Sequence, residues 1–208
     1  MSSTDLRLRV GRGFDPTWTI ATLNLENGAS NSQRANLIAR TGPDCIYYLQ
    51  EFIRNNCTIQ SCNRSFNVFV NGSSEKRLAF IVPSLLTDQA LERHILHDSF
   101  YALQFRQFVC VNVHARKANS EDFEKQLRDI EVYVRSVRDR PVIIAGDWNC
   151  SLGAESPPFV GPHHGDPRSN SAILLQFVLS LEMCVVNSWS DLGFTRRPPL
   201  SLRKDLPT

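Results

Sequence analysis

A run of mostly β-branched residues, Pro141 to Ala145, breaks at Gly146 and is followed at once by Asp147, Trp148 and Asn149. Read as a strand, it alternates its side chains, so Asp147 and Asn149 are expected on one face, side by side where the apolar run ends. Gly146 permits a turn or the close approach of a ligand to the backbone, with no Cβ in the way. A plain surface turn carrying an Asp and an Asn fits this stretch alone equally well, and other parts of the chain have to separate the two readings.

The same arrangement recurs along the sequence. Trp18 to Asn24 alternates as a strand, placing Ile20, Thr22 and Asn24 on one face, and Gly28 to Ser32 supplies turn and cap residues. Arg34 to Arg40, with Ala35, Leu37, Ile38 and Ala39, predicts a short amphipathic helix stopped by Gly42 and Pro43. Cys45 to Leu49 is a second strand that ends at Gln50 and Glu51. From Phe66 to Val113 the chain is β-rich, with strands expected over Phe66 to Val70, Leu78 to Val82, Tyr101 to Phe105 and Phe108 to Val113, and a turn at Gly72 to Lys76. His114 closes the last run, on the face shared by Phe108, Cys110 and Asn112.

Ser120 to Arg138 is the clearest helix. Phe123, Leu127, Ile130, Val134 and Val137 recur at helical spacing, Ser120 is the candidate cap, and Glu121 and Asp122 suit the first turn. A second helix is expected from Ser171 to Glu182 with Ile173, Leu174, Phe177, Val178 and Leu181 inward, followed by a strand at Cys184 to Asn187. Helices alternate with strands at both ends and several strands follow one another in the middle, which points to helices covering sheets, an α+β or mixed α/β class.

At 208 residues and 42% hydrophobic, the chain can bury one substantial core, and no linker divides it. We expect an N-terminal tail over 1–16 and one domain over 17–208. A net charge of +2 is too small to argue for nucleic-acid binding by itself. Arg7, Arg9 and Arg12 at one end, and Arg196, Arg197, Arg203 and Lys204 at the other, are locally basic, which fits phosphate contacts or solvated tails. The six cysteines, Cys45, Cys57, Cys62, Cys110, Cys150 and Cys184, do not read as a disulfide framework, since four lie in or beside expected strands. Cys57 and Cys62 share a loop but lack paired ligands at zinc spacing. With no apolar leader region and no segment approaching the roughly 20 residues that span a bilayer, a soluble nuclear or cytoplasmic protein is expected, without a membrane partner.

Asn24, Glu51, His114 and the pair Asp147 and Asn149 therefore all stand at strand ends. Mg²⁺ takes oxygen ligands, often one or two carboxylates completed by water and substrate phosphate, and Glu51 with Asp147 would supply that set. Such a set favours attack of water on a phosphodiester, with hydrogen-bond donors stabilising charge on the phosphate oxygens. Each residue alone also has a structural use, as a cap, a solvated strand end or an edge histidine; their recurrence in this order is the signal.

That order resembles the endonuclease/exonuclease/phosphatase family. Ile20 to Asn24 is similar to the family's first strand with its active-site Asn, Leu49, Gln50 and Glu51 to its metal-binding Glu motif, Val111 to His114 to the segment carrying His or Tyr beside the phosphate, and Gly146 to Asn149 to its Gly-Asp-aromatic-Asn signature. The resemblance implies a four-layer αββα sandwich of two mixed sheets, with Glu51 and Asp147 on Mg²⁺ or Mn²⁺, Asp147 orienting or deprotonating water, and Asn24, Asn149 and His114 holding the phosphate or tuning their neighbours. Gly161 to Asn170, the Leu174 to Phe177 helix and Val185 to Trp189 are most similar to endonuclease domains of non-LTR retrotransposons, which implies DNA as the partner. Arg196 after Thr195 replaces the Trp of their Thr-Trp step, and His163 and His164 are expected as loop residues.

Family members continue into a strand carrying Ile-Asp-Tyr and a terminal Asp-His pair. Neither occurs here, and His97 with Asp98 is the reverse order. The expectation is a sandwich missing its last strands, with impaired catalysis. The alternatives are a phosphatase or sphingomyelinase relative, and an inactive nucleic-acid-binding remnant.

Overall fold

Ten strands in two mixed sheets carry the architecture of this computed structural model, which describes residues 3–8, 18–25, 45–52, 57–61, 64–71, 78–115 and 120–189. The first sheet runs in the order β1 (Ser3–Leu8), β2 (Trp18–Asn24), β3 (Cys45–Gln50), β6 (Ala79–Pro83), β5 (Arg64–Val70) and β4 (Cys57–Ser61). The second runs β10 (Val142–Asp147), β9 (Val109–His114), β8 (Tyr101–Phe105) and β7 (Leu91–Leu96). Each sheet has one parallel pair, β2 with β3 and β9 with β10, and is otherwise antiparallel.

Alternation along the strands decides what each face buries. Ile20, Ile46, Tyr48, Phe80 and Val82 of the first sheet meet Tyr101, Leu103, Phe105 and Cys110 of the second, forming the core between the sheets. Val109, Val111 and Val113 point the other way, toward α2 (Ser120–Ser136) and α3 (Ser171–Ser180). Phe123, Leu127, Ile130 and Val134 of the longer helix, and Val137 just past its end, all reach that layer, as their spacing predicts. The outer face of the first sheet carries Ala21, Cys45, Tyr47, Leu49, Phe66, Val68, Ala79 and Ile81. The result is an α+β sandwich of two packed sheets; the helix expected over 34–40 lies outside the described residues, as do the turns at 28–32 and 72–76.

Several expectations are corrected. Ser3–Leu8, expected within a tail, pairs antiparallel with β2 as an edge strand. Cys184 to Asn187 is not a strand: Val185 makes a single parallel bridge to Val160, and Val186–Ser188 is one 3₁₀ turn. One bridge is too little pairing to hold an extended segment against the turn that Ser188 closes by donating its hydroxyl to the Val185 carbonyl. α3 stops at Ser180 because Glu182 takes a positive φ of 54° and Met183 N–H returns to the Val178 carbonyl, a C-terminal cap. The short helix α1 (Ser84–Ala90), the strand β4 and the edge strand β7 were not anticipated; β7 is mostly exposed and carries Glu92, Arg93 and His94, so it lacks an apolar signature.

Candidate active site

Parallel pairing of β2 with β3 and of β9 with β10 brings the C-terminal ends of these strands to one edge of the sandwich. Asn24 pairs in register with Gln50, and Asp147 with His114. Inward-facing residues at these ends must be polar or solvated, because the apolar core stops one residue pair earlier.

The carboxamide of Asn24 is the hinge of the cluster. Its Nδ2 donates to Asp147 Oδ2 at 2.9 Å and to Glu51 Oε1 at 3.2 Å. His114 Nε2 stands 3.9 Å from the same Glu51 oxygen, with both side chains largely shielded. His114 Nδ1 is buried without a hydrogen-bond partner among the described residues, which assigns the hydrogen of a neutral ring to Nε2, since an orphaned N–H costs more than an orphaned lone pair. The His114 carbonyl accepts from Gln126 Nε2 at 3.2 Å, tying the strand end to α2.

Asp147 is held at both oxygens, since Oδ1 accepts the Asn149 backbone N–H at 2.9 Å. Asn149 departs from its expected place beside Asp147. The strand ends at Asp147, and Asn149 adopts φ 48°, so alternation no longer applies; its Nδ2 turns to the Ala115 carbonyl at 2.7 Å. Gly146 also has a different use from the one expected. At φ 152° it lies against Val113, and a Cβ there would fall on the Val113 carbonyl oxygen, so the close neighbour is strand β9 rather than a ligand.

The structure thus gathers Asn24, Glu51, His114 and Asp147 directly, and Asn149 through the Asp147 carboxylate. Two carboxylates around one amide nitrogen form a hard oxygen donor set. Among the described residues no group of three or more His, Cys, Asp and Glu is assembled into a cage. Oxygen donors of this kind are the type that Mg²⁺ and Mn²⁺ take, completed by water and substrate, and the pair offers none of the thiolates of a structural zinc site. His163 and His164 lie in a loop away from any such group: His163 N–H donates to the Ser188 carbonyl, and the His164 ring contacts the Gly165 carbonyl. The thiols of Cys45 and Cys110 are buried, that of Cys150 is half-buried and that of Cys184 exposed. Burial pushes the Cys110 thiol up to about 12, and burial likewise raises Tyr48 and Tyr101 in the core behind the site. Thr195, Arg196, Arg197, Arg203 and Lys204, with Arg9 and Arg12 at the other end, lie outside the described residues.

Sequence patterning alone missed a layer behind these residues. Gln50 and Asn112, both essentially inaccessible to solvent, hydrogen-bond to each other across the sheets at 2.7 Å. The available signal was an amide inside the otherwise apolar run Val109 to Val113.

No family model matches the chain, and no curated protein matches it either. It is similar to a solved structure. The crystal structure of humanized D. rerio TDP2 by 14 mutations overlaps 64% of this chain and 62% of its own at 15% identity and a TM-score of 0.45, so the chain spans less than two thirds of that protein. No helix among the described residues is long and apolar enough to cross a membrane.

Proposed function

We propose that the chain is a phosphodiesterase domain of the endonuclease/exonuclease/phosphatase type, dependent on Mg²⁺ or Mn²⁺, that nicks DNA as retrotransposon endonuclease domains do. The observation that carries this reading is the single Asn24 amide shared between the Glu51 and Asp147 carboxylates, with His114 on the far side of Glu51. The DNA assignment rests on the motif order along the chain, in particular Gly161 to Trp189.

Glu51 and Asp147 would hold the cation, which when bound supplies Lewis-acid stabilisation of charge on the phosphate oxygens. Asp147 accepts the proton of the attacking water; with one lone pair on each oxygen occupied by Asn24 and Asn149, its carboxylate cannot rotate away from the task. Asn24 keeps the carboxylates at a set separation, and His114 Nε2–H offers a donor to an oxygen entering beside Glu51. Asn149 contributes through its backbone N–H, since its carboxamide nitrogen is committed to the Ala115 carbonyl.

The test is conversion of supercoiled plasmid to open circle by the full-length protein in Mg²⁺ or Mn²⁺, compared with Glu51→Gln. Nicking that requires the cation and falls at least a hundredfold in the variant supports the reading. Hydrolysis of sphingomyelin or a phosphoinositide with none on DNA would replace the substrate class. Salt-sensitive DNA binding with no cleavage in either metal would replace catalysis with binding.

A further inference from the structure

Directly beneath the cluster, three strand ends share one buried network of amides. Asn112 of β9, fully buried, donates both hydrogens of its Nδ2 to main-chain carbonyls of the opposite sheet, Leu49 of β3 at 2.9 Å and Ala79 of β6 at 2.8 Å. These carbonyls belong to the last paired residues of that ladder, Leu49 and Ala79. Two carbonyl acceptors leave no doubt which end of the Asn112 amide is nitrogen, so its Oδ1 is the acceptor left for Gln50 Nε2 at 2.7 Å. Gln50 Nε2 also donates to Thr22 Oγ1 of β2 at 3.4 Å.

The spacing to the site is regular. Thr22 stands two residues before Asn24, Asn112 two before His114, and Gln50 immediately before Glu51. On β2 and β9 a two-residue step keeps the same face, so each network residue lies under the site residue on its own strand. Gln50 is held twice, by its side chain and by its carbonyl, which accepts Leu25 N–H at 3.1 Å. The next residue, Glu51, then turns sharply into a positive φ of 59°, a conformation a non-glycine residue adopts only when its surroundings hold it there.

An apolar pair at 50 and 112 would bury the same area without any directional bond between the sheets, since contact area has no direction. Directional bonds from β9 to two carbonyls of the facing sheet set its position along β3 to within the tolerance of a hydrogen bond. We propose that Gln50 and Asn112 are positioning residues that hold the Glu51 carboxylate in its cation-binding place, a role that rests on the phosphodiesterase reading of the site above. The network acts through Glu51 and touches neither cation nor substrate.

The experiment is calorimetric titration of Mn²⁺ alone into the full-length protein, its Gln50→Leu and Glu51→Gln variants, and Val134→Ala as a core control distant from the strand ends. Gln50→Leu removes the bonds to Asn112 and Thr22 while the bonds from Asn112 to the two carbonyls remain. A tenfold to hundredfold weaker Mn²⁺ affinity in Gln50→Leu is expected, with a folding transition still present and affinity unchanged in Val134→Ala. Wild-type affinity in folded Gln50→Leu overturns the positioning role. Wild-type affinity in Glu51→Gln, or no Mn²⁺ binding by the wild type, overturns the metal reading instead, so the two failures are distinguishable. If Gln50→Leu does not fold, Gln50→Met, which fills the same slot with an unbranched chain, takes its place. Failure of both to fold assigns the pair to stability alone and overturns the proposal.

Discussion

Asn24 and Asp147, 123 residues apart, meet at 2.9 Å because β2 and β10 end at the same edge of two facing sheets. The bond makes Asn24 a neutral spacer between two carboxylates, and its chemistry is therefore sensitive to a single-atom change. Asn24→Asp places a third carboxyl group against Glu51 and Asp147. Like charges at this distance disfavour ionisation and folding, so in the absence of divalent cation we expect a loss of about 1–2 kcal/mol, roughly 2–8 °C in Tm for a chain of this size. On the proposed reading Mn²⁺ binds the folded state and relieves the repulsion, so adding it should raise the Tm of the variant more than that of the wild type. Thermal melts with and without Mn²⁺ check this; equal responses in both proteins would contradict the arrangement.

What could be read from the chain was local. Trp18 to Asn24, Cys45 to Leu49 and Val109 to His114 are legible as strands with polar residues at their ends, and Phe123 to Val137 follows from period 3.6. What could not be read was pairing. Nothing in Ala79 to Pro83 says that it lies beside β3 rather than β2, and nothing near Ser3 marks an edge strand, because strand partners are chosen by long-range packing. Asn149 escaped because alternation was carried two residues past the end of its strand, into a turn set by the Asp147 carboxylate. Gln50 and Asn112 have sequence positions that are unremarkable one by one and acquire meaning only when the sheets face each other.

Gly146 is the position least able to change. Its φ of 152° is poorly accessible to residues with a Cβ, and that Cβ would collide with the Val113 carbonyl of the adjacent strand. Gly146→Ala must separate β9 from β10, at a cost of about 3 kcal/mol or more from strain and overpacking together. The neighbouring Ala145→Gly, which removes a methyl group and adds chain entropy, should cost only about 1 kcal/mol. Urea unfolding of the two variants decides, and a Gly146→Ala protein as stable as Ala145→Gly would show that the strands are not in this register.

Stability should fall in alkali, and the sign follows from burial. The Cys110 thiol is raised from 9.0 to about 12 by desolvation, which outweighs the hydrogen bond from Tyr48. Below pH 9 both folded and unfolded chains keep the proton and the stabilisation is fully present. Between about 9 and 12 the unfolded chain releases a proton that the folded chain retains, so stability declines by about 1.4 kcal/mol per pH unit for this group, until the loss is complete above the folded value. Tyr48 and Tyr101, also raised by burial, steepen the decline at higher pH. Cys110→Ala should be less stable at neutral pH, through the space it leaves, yet lose stability between pH 9 and 10 with a slope smaller by one proton. Denaturant midpoints across that range measure the slope; identical slopes would place the thiol outside the core.

Asp147→Asn separates the chemical role of the carboxylate from its structural one. The side chain keeps its shape, but one of its two acceptor oxygens becomes an amide nitrogen facing either Asn24 Nδ2 or the Asn149 N–H, so one of the two hydrogen bonds is lost. At a half-exposed strand end that loss should cost about 1 kcal/mol, leaving a folded protein. On the proposed reading the variant loses the base for the attacking water and one of the two anionic oxygen ligands. Nicking should therefore fall by about 10²–10⁴ while the melting transition moves by only a few degrees. Measured together, plasmid nicking and thermal melts distinguish this from a structural residue, for which activity and stability decline in proportion. A variant that melts normally and still nicks DNA within tenfold of the wild-type rate would remove Asp147 from the reacting groups and leave Glu51 as the one carboxylate with a chemical task.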